Sequence, residues 1–259
     1  MSKKYELTKE KKTLAGGTVL HRIRALRDMP RFGVKAGELG GFVEGENNLS
    51  QDGDAWVSGD AEVSGDAKVF GNAWVFDNAW VSGNAFVSGD ANVYGNAEVY
   101  DNAEVSDNAK VFDNAWVSGN ACVSGDANVY GNACVFDNAK VFDNACVSGD
   151  AKVYGNACVF DNAKVSGNAW VYGDAEISGN ARVYGDADYM VIKNTWSSGR
   201  WFTYTRSNKM WKVGCFYGTG EELVAKAYKD SELSGRCYEA IIRAVETIEA
   251  AKAEAKETK

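Results

Sequence analysis

A six-residue repeat runs without interruption through the middle of this chain and constrains its fold more than any other feature. Alanine recurs at every sixth position from Ala55 to Ala187, which gives 23 occurrences. Valine recurs in the same step from Val57 to Val183, with Ile177 as the one substitute. The apolar face of an amphipathic helix returns after three and four residues, so a period of six excludes a helix, and β-branched valine favours a strand.

The order of residues within the unit, Val-x-[Gly/Asp]-[Asn/Asp]-Ala-x, predicts short strands separated by tight corners. Alanine and valine are two residues apart, so both point inward and the two variable positions point outward. The corner pair fits a tight bend, because glycine adopts positive φ without strain and asparagine tolerates it. Of the 28 glycines, 16 occupy the first corner position, and the single proline lies outside the repeat. The absence of proline from the repeat follows from an almost continuous hydrogen-bonded ladder, in which proline would remove an N–H donor.

The unit resembles the hexapeptide repeat of left-handed parallel β-helices, the fold of the trimeric acyltransferase superfamily. In that family three hexapeptides close one triangular coil, which implies about 7 to 8 coils and, at about 4.8 Å between strands, a prism about 35 Å tall. We therefore predict a mainly β fold, a single-stranded left-handed parallel β-helix. It carries an N-terminal β cap and a small C-terminal α+β module that ends in two helices.

Three segments are predicted along the chain. Residues 1–52 form an N-terminal cap and an irregular first coil, residues 53–188 form the β-helix, and residues 189–259 form a β-hairpin plus a two-helix module. Thr219 followed by Glu222 fits a capping box that opens the first of the two helices.

Two further segments resemble proteins of phages and prophages. Val34–Asp54 (VKAGELGGFVEGENNLSQDGD) is similar to the start of uncharacterised bacterial and prophage hexapeptide-repeat proteins, some of them described as polymer-forming. Val213–Leu223 (VGCFYGTGEEL) resembles C-terminal segments of phage and prophage proteins of unknown function. These resemblances imply a viral or prophage origin without naming an activity.

Four cysteines stand at outward positions of the repeat, each 12 residues after the previous one: Cys122, Cys134, Cys146 and Cys158. Neighbours in this series lie on different faces, and the two that share a face are about 9.6 Å apart, beyond the roughly 7 Å Cα limit of a disulfide. We expect reduced thiols in the cytoplasm of a bacterial host, since no signal peptide or apolar membrane span occurs. Cys215 and Cys237 are expected to be core residues.

Residues 18 apart are expected to stack on one face, which places outward aromatic side chains in vertical rows. The position before valine carries five tryptophans: Trp56, Trp74, Trp80, Trp116 and Trp170. We predict a surface for self-association or partner docking, because monomers rarely expose large apolar stripes. Its candidate residues are Trp74, Phe76, Tyr94, Phe112 and Tyr130, with Trp201 and Trp211 from the C-terminal module. The alternative is that the stacked rings only stabilise the wall of the coil.

Negative charge is concentrated in the repeat. Residues 51–188 hold 21 acidic and 6 basic residues, a net charge of −15, whereas the flanking segments are mildly basic and the whole chain is at −8. Aspartate at the first corner position is always followed by asparagine, which argues against a calcium site and favours solvated corners. An acidic rod disfavours direct binding of nucleic acid.

The residues that carry the usual chemistry of this fold are missing. The acyltransferases of the superfamily typically use a histidine base near a substrate lodged between subunits, and its carbonic anhydrases bind zinc through three histidines. The one histidine, His21, lies before the first coil and is expected to be a cap residue. We therefore expect no catalytic, cofactor or metal site.

These observations predict a non-enzymatic scaffold or binding protein. We expect it to associate with itself or with a host or phage protein, and we expect no membrane partner. Three alternatives stay open. They are a phage inhibitor that sequesters a host protein or a nucleotide signal, a divergent acyltransferase, and a filament-forming protein with exposed coil ends.

Overall fold

The computed structural model describes residues 3–196 and 199–257. Their contacts divide the chain into two compact units, Met1–Asp188 and Tyr189–Lys259. The first unit is a parallel β-helix of about eight turns with three sheets along its length, and the second has a small antiparallel sheet and two helices. The mainly β architecture predicted from the repeat is confirmed.

The N-terminal segment extends one sheet of the coil beyond its first turn. Strand β1 (Tyr5–Thr13) pairs antiparallel with β2 (Val19–Ala25), which pairs antiparallel with β3 (Leu39–Val43). Strand β3 pairs in parallel with the first coil strand of that sheet, which therefore has ten strands. Two short 3-10 helices, Pro30–Phe32 and Glu46–Asn48, lie in the same segment.

The three faces of the coil are built from two-residue strands, each an outward residue followed by an inward valine or isoleucine. Face 1 consists of β5 (Glu62–Val63), β8 (Trp80–Val81), β11 (Glu98–Val99), β14 (Trp116–Val117), β17 (Cys134–Val135), β20 (Lys152–Val153) and β23 (Trp170–Val171). Face 2 consists of β4 (Trp56–Val57), β7 (Trp74–Val75), β10 (Asn92–Val93), β13 (Lys110–Val111), β16 (Asn128–Val129), β19 (Cys146–Val147), β22 (Lys164–Val165) and β25 (Arg182–Val183). Face 3 consists of β6 (Lys68–Val69), β9 (Phe86–Val87), β12 (Glu104–Val105), β15 (Cys122–Val123), β18 (Lys140–Val141), β21 (Cys158–Val159) and β24 (Glu176–Ile177).

Alanine and valine fill the interior of the coil. The repeat alanines from 55 to 181 and the repeat valines from 57 to 183, with Ile177 in the series, are 0% exposed. Backbone bonds join each coil to the next: the N–H of Trp80, for example, donates to the carbonyl of Ala97 at 2.9 Å. Neighbouring strands of one face are one coil, or 18 residues, apart in the sequence. Equivalent residues of successive coils therefore stack in register.

Two residues depart from the positions that the period predicts. Ala187, the last alanine of the series, is exposed within the 3-10 helix Asp186–Asp188, so the coil ends before the sequence period does. Trp56 is predicted to point outward, yet it is 1% exposed. Gly40 of β3 packs on its ring so closely that a Cβ atom added to the glycine would lie 2.7 Å from the indole Cζ2.

The first corner position adopts the left-handed backbone conformation in every unit from residue 53 to residue 179, but not at Gly185. Glycine fills most of these corners, and seven aspartates with φ between 57° and 60° fill the rest: Asp77, Asp101, Asp107, Asp113, Asp137, Asp143 and Asp161. Asparagine was expected to share this conformation, but no asparagine among the described residues has positive φ. It occupies the second corner position instead, where its amide group meets the equivalent side chain of the next coil.

These amide contacts form ladders that run along the corners. In the longest one, each side-chain NH2 donates to the side-chain oxygen one coil further on, at 2.9–3.3 Å. Its members are Asn84, Asn102, Asn120, Asn138, Asn156 and Asp174. The ladder ends at an aspartate because a carboxylate accepts hydrogen bonds but has none to donate.

The second unit has a four-stranded antiparallel sheet where the sequence predicts a hairpin. Its strands are β26 (Tyr189–Lys193), β27 (Trp201–Thr205), β28 (Met210–Val213) and β29 (Phe216–Gly218). Helices α1 (Gly220–Asp230) and α2 (Glu232–Glu257) follow, and the predicted capping box is present, since Thr219 and Glu222 each bond the other's backbone N–H. The core contains Phe202, Tyr204, Trp211, Val213, Leu223, Ala227, Tyr238, Ile242 and Val245.

Candidate interaction surfaces

Four of the predicted surface residues form a continuous aromatic stack on face 2. The rings of Phe76, Tyr94, Phe112 and Tyr130 follow one another at centroid distances of 4.7, 4.9 and 4.9 Å, with their planes within 6° of parallel. Each residue follows the inward valine of its strand and is half-buried. The spacing of the rings equals the spacing of the coils, so the backbone ladder sets the stacking distance.

The N-terminal end of this stack is covered by the cap. The ring of Trp74, a fifth predicted residue, lies 4.1 Å from that of Phe76, and its indole N–H donates to the hydroxyl of Ser58 at 2.9 Å. Phe32, in the 3-10 helix of the cap, lies 5.0 Å from the Trp74 ring. The contact of Phe32 was not predictable from the sequence, because the cap has no repeat that would relate its residues to the coil.

Acidic corners flank the stack and contribute to the electrostatics of its phenols. Burial, and then the carboxylates of Asp113 and Asp77, raise the pKa of Tyr94. Burial and nearby ionisable groups also raise the pKa of Tyr154 on face 1. A phenol is uncharged near neutral pH, and these upward shifts act in the same direction, so the rows of rings form neutral apolar strips between columns of negative charge.

Two further aromatic stacks were not singled out from the sequence. On face 1, Phe136 lies 4.9 Å from Tyr154, which lies 5.5 Å from Tyr172. On face 3, Phe142 lies 4.9 Å from Phe160. The signal for both was present, since these residues also follow valine and are one coil apart.

The most exposed tryptophans of the coil lie together on face 1. Trp80 is 37% exposed, Trp116 is 46% exposed and Trp170 is 44% exposed, and Tyr172 beside Trp170 is 51% exposed. The ammonium group of Lys152 lies 5.0 Å from the centroid of the Trp170 ring. Four of the seven large exposed rings of the coil thus lie on face 1, whereas Phe70 and Phe86 lie on face 3 and Tyr184 lies on face 2, beyond the Phe76–Tyr130 stack.

The two candidate residues of the second unit differ in exposure. Trp211 is 2% exposed and packs against Tyr204 at 5.0 Å and Phe202 at 6.3 Å, so it is a core residue and does not line a surface. Its strand β28 alternates between the core and solvent, and Trp211 falls on the core side. Trp201 is half-buried, with the ammonium group of Lys193 5.0 Å from its ring centroid.

The cysteines of the repeat are distributed as their spacing predicts. Cys122 and Cys158 lie on face 3, Cys134 lies on face 1 and Cys146 lies on face 2, and all four are half-buried thiols. Burial raises the pKa of Cys122 and of Cys134, which favours the protonated thiol. In the second unit Cys237 packs against the core, but Cys215 is exposed, so the prediction of a core position for Cys215 is wrong.

Metal-binding clusters and membrane-spanning helices are absent from residues 3–196 and 199–257. There, no three side chains of His, Cys, Asp or Glu are grouped so as to hold a metal ion. In the same residues, no helix combines the length and the apolar character that crossing a membrane requires. His21 lies on β2 of the cap, with its Nδ1 atom 3.4 Å from the carbonyl oxygen of Thr8 on β1.

The fold and its surfaces define a class: a repeat protein built as a parallel β-helix, with aromatic stacks along flat faces. No protein-family model matches the sequence, and no curated protein is significantly similar to it. The resemblance to hexapeptide-repeat proteins therefore rests on the repeat unit itself.

Proposed function

We propose that this protein is a non-enzymatic scaffold or binding protein, in which a rigid acidic β-helix presents aromatic side chains for self-association or for capture of a host or phage protein. The observation that carries the proposal is the face 2 stack, from Phe76 to Tyr130, whose rings keep one spacing over four coils. The close-packed core of valine and alanine keeps neighbouring coils at a constant spacing. The outward rings are therefore already in position before a partner binds.

Exposure and charge support the same proposal. A monomer rarely exposes contiguous aromatic stripes, and this coil carries large exposed rings on face 1 as well as the half-buried stack on face 2. The columns of corner carboxylates on either side favour a protein partner whose apolar patch has a basic or polar rim. The same charge disfavours nucleic acid as the partner.

We further infer that the chain is a hexapeptide-repeat protein encoded by a phage or prophage and that it works in the cytoplasm of the host. The six-residue unit and the two phage-like segments support the first inference. The six cysteines, all present as thiols, support a reducing compartment.

The test removes the two central rings of the stack. We expect a Tyr94→Ser/Phe112→Ser double variant to lose self-association or partner capture, measured as native mass by light scattering and as proteins recovered from the producing cell. A Ser88→Ala/Ser106→Ala variant is the matched control, because these residues occupy the same position after valine on face 3. If native mass and capture are unchanged in the ring variant, the stack only stabilises the coil wall and the proposal fails for this face.

A further inference from the structure

Face 1 carries a row of outward residues, from β8 to β23, in which oppositely charged residues occupy equivalent places counted from the two ends. Two copies of this row, placed antiparallel, therefore set opposite charges against each other. From β8 to β23 the residues before valine are Trp80, Glu98, Trp116, Cys134, Lys152 and Trp170. Parallel in-register pairing places them in a single row, one coil apart. Exposed tryptophans, Trp80 and Trp170, are the end residues of this six-strand stretch, and the residue next to each carries a charge, negative at Glu98 and positive at Lys152. Glu62 of β5 precedes Trp80 in the same row, but it already forms an ion pair with Lys12 of the cap.

We propose that face 1 binds face 1 of a second copy of this chain, with the two coils antiparallel. The inference rests on the proposed function: it assigns the self-association to face 1 and leaves the face 2 stack for the capture of a different protein. The two-fold axis lies in the plane of contact, runs parallel to the strands and passes between β14 and β17. This axis sets Glu98 opposite Lys152 of the partner subunit, and the symmetric pair forms on the other side of the axis.

The same axis matches large side chains with small ones near the centre of the contact. In the row before valine, Trp116 faces Cys134 of the partner subunit. In the row after valine, Ser118 faces Phe136 of the partner subunit. At these two central strands a large side chain on one copy meets a small one on the other, as close packing across an interface requires. One strand further out, Tyr100 faces Tyr154 of the partner subunit, so two rings meet there.

The ends of the contact are aromatic. Trp80 faces Trp170 of the partner subunit, and Ser82 faces Tyr172 of the partner subunit. Trp170 and Tyr172 are among the most exposed rings of the coil, and the contact would remove both from water. Tryptophan and tyrosine supply a large share of the binding energy in known interfaces.

Charge decides between this orientation and a parallel one. In a parallel dimer, with the two-fold axis along the coil, Glu98 residues from the two copies would lie at the same height, and so would the Lys152 residues. Glu98 forms no salt bridge with any residue that the structure describes. The antiparallel orientation gives it an oppositely charged partner, and such pairs select register and suppress the wrong arrangement.

The size of the contact predicts how tight the dimer is. Six strands extend over about 24 Å along the coil, and each contributes a narrow strip. The contact area is therefore expected at the small end of specific interfaces, about 1,200 Å² in total. We expect a reversible dimer with a dissociation constant in the micromolar range.

Sedimentation of the full chain across the micromolar range tests the inference. The mass is expected to rise from the 28.0 kDa of one chain toward twice that value as concentration increases. Glu98→Lys alone or Lys152→Glu alone places like charges opposite each other and is expected to weaken dimerisation by about tenfold or more. The double variant Glu98→Lys/Lys152→Glu restores opposite charges and is expected to restore the dimer. Thermal melts followed by circular dichroism verify that each variant is folded.

Matched controls lie at the same outward position on face 3, where Glu104→Lys and Lys140→Glu are expected to leave the dimer unchanged. The inference is overturned by a single-chain mass at every concentration, by a double variant that fails to restore the dimer, or by controls that weaken it equally. If the chain stays monomeric but Tyr94→Ser/Phe112→Ser still abolishes capture of a partner, the dimer inference fails while the proposed function stands.

Discussion

The carboxylate of Asp101 accepts a hydrogen bond of 3.3 Å from the backbone N–H of Gly119, the corner residue one coil further along. Asp101 has φ of 60°, a left-handed conformation that costs a residue with a Cβ atom about 1 kcal/mol. All seven corner aspartates with positive φ form the equivalent bond. A charge-assisted bond to the next coil thus offsets the strain of the corner.

Substitution of Asp101 separates the strain from the hydrogen bond. Asp101→Ala loses the bond and keeps the strained φ, so we expect the free energy of unfolding to fall by about 2 kcal/mol. Asp101→Gly loses the same bond but relieves the strain, and it is expected to stay within about 1 kcal/mol of the wild type. Urea denaturation measures both, and equal losses would contradict this account.

The asparagine ladders depend on each amide being both donor and acceptor. Asn120 accepts from Asn102 at 3.1 Å and donates to Asn138 at 3.0 Å. In Asn120→Asp a carboxylate oxygen replaces the donor and faces the oxygen of Asn138, so we expect a loss of about 1–3 kcal/mol in the free energy of unfolding. Asp174→Asn is the control, because Asp174 ends the ladder and an amide oxygen can still accept there.

The decrease in the free energy of unfolding caused by Asn120→Asp is expected to depend on pH. The unfavourable contact raises the pKa of the new carboxyl group in the folded state, so the folded chain binds a proton at a pH where the unfolded chain does not. Stability is then lost as pH rises through the folded pKa and recovers toward about pH 4, where a protonated carboxyl can donate to Asn138. Denaturation at several pH values measures this, and a loss independent of pH would show that the missing donor is not the cause.

The buried Lys4 is expected to make the free energy of unfolding depend on pH in the alkaline range as well. Its side chain is buried and its ammonium group donates to the carbonyl of Ala55 at 2.7 Å. Burial, and then the charge of Arg27, lower the pKa of Lys4 from 10.5 to about 8. Between these values the unfolded chain holds a proton that the folded chain has released, so the free energy of unfolding is expected to rise with pH. Burial raises the pKa of the neighbouring Tyr5, which acts in the opposite sense once the unfolded phenol ionises.

A Lys4→Met variant isolates this contribution because methionine does not titrate. The difference in unfolding free energy between wild type and variant is expected to change between about pH 8 and about pH 10 in favour of the wild type. Lys3→Met is the control, since Lys3 is exposed and pairs with Glu46 at the surface. Parallel pH profiles for wild type and Lys4→Met would be inconsistent with a buried, titrating lysine.

The fit between the cap and the first coil depends on Gly40. A Cβ atom at this position would lie 2.5 Å from the carbonyl oxygen of Val57 and 2.6 Å from Cγ1 of Ile23. We expect Gly40→Ala to lower the free energy of unfolding by about 2 kcal/mol or more and to speed hydrogen exchange in β1 and β2. Gly45→Ala is the control, because nothing lies within 4 Å of its Cβ position. Similar exchange in the two variants would show that the cap does not rest on this contact.

The repeat alone determined the coil, its inward and outward sides and the rows of stacked residues. In a solenoid nearly every contact joins residues at one fixed separation along the chain, so a period in the sequence encodes both the fold and its register. The period therefore predicts from the sequence alone that Phe76 and Tyr94 stack in vertical register. The same reasoning placed Cys122 and Cys158 on one face, too far apart to bond.

Tertiary structure decided what happens where the period ends. The burial of Trp56 under Gly40, the contact of Phe32 with Trp74 and the core position of Trp211 join residues at separations that no period encodes. The relative exposure of the faces was also decided in three dimensions, because it depends on how each ring packs against its neighbours and on what the cap covers. The period defines which residues point outward, and packing defines which of them remain available to a partner.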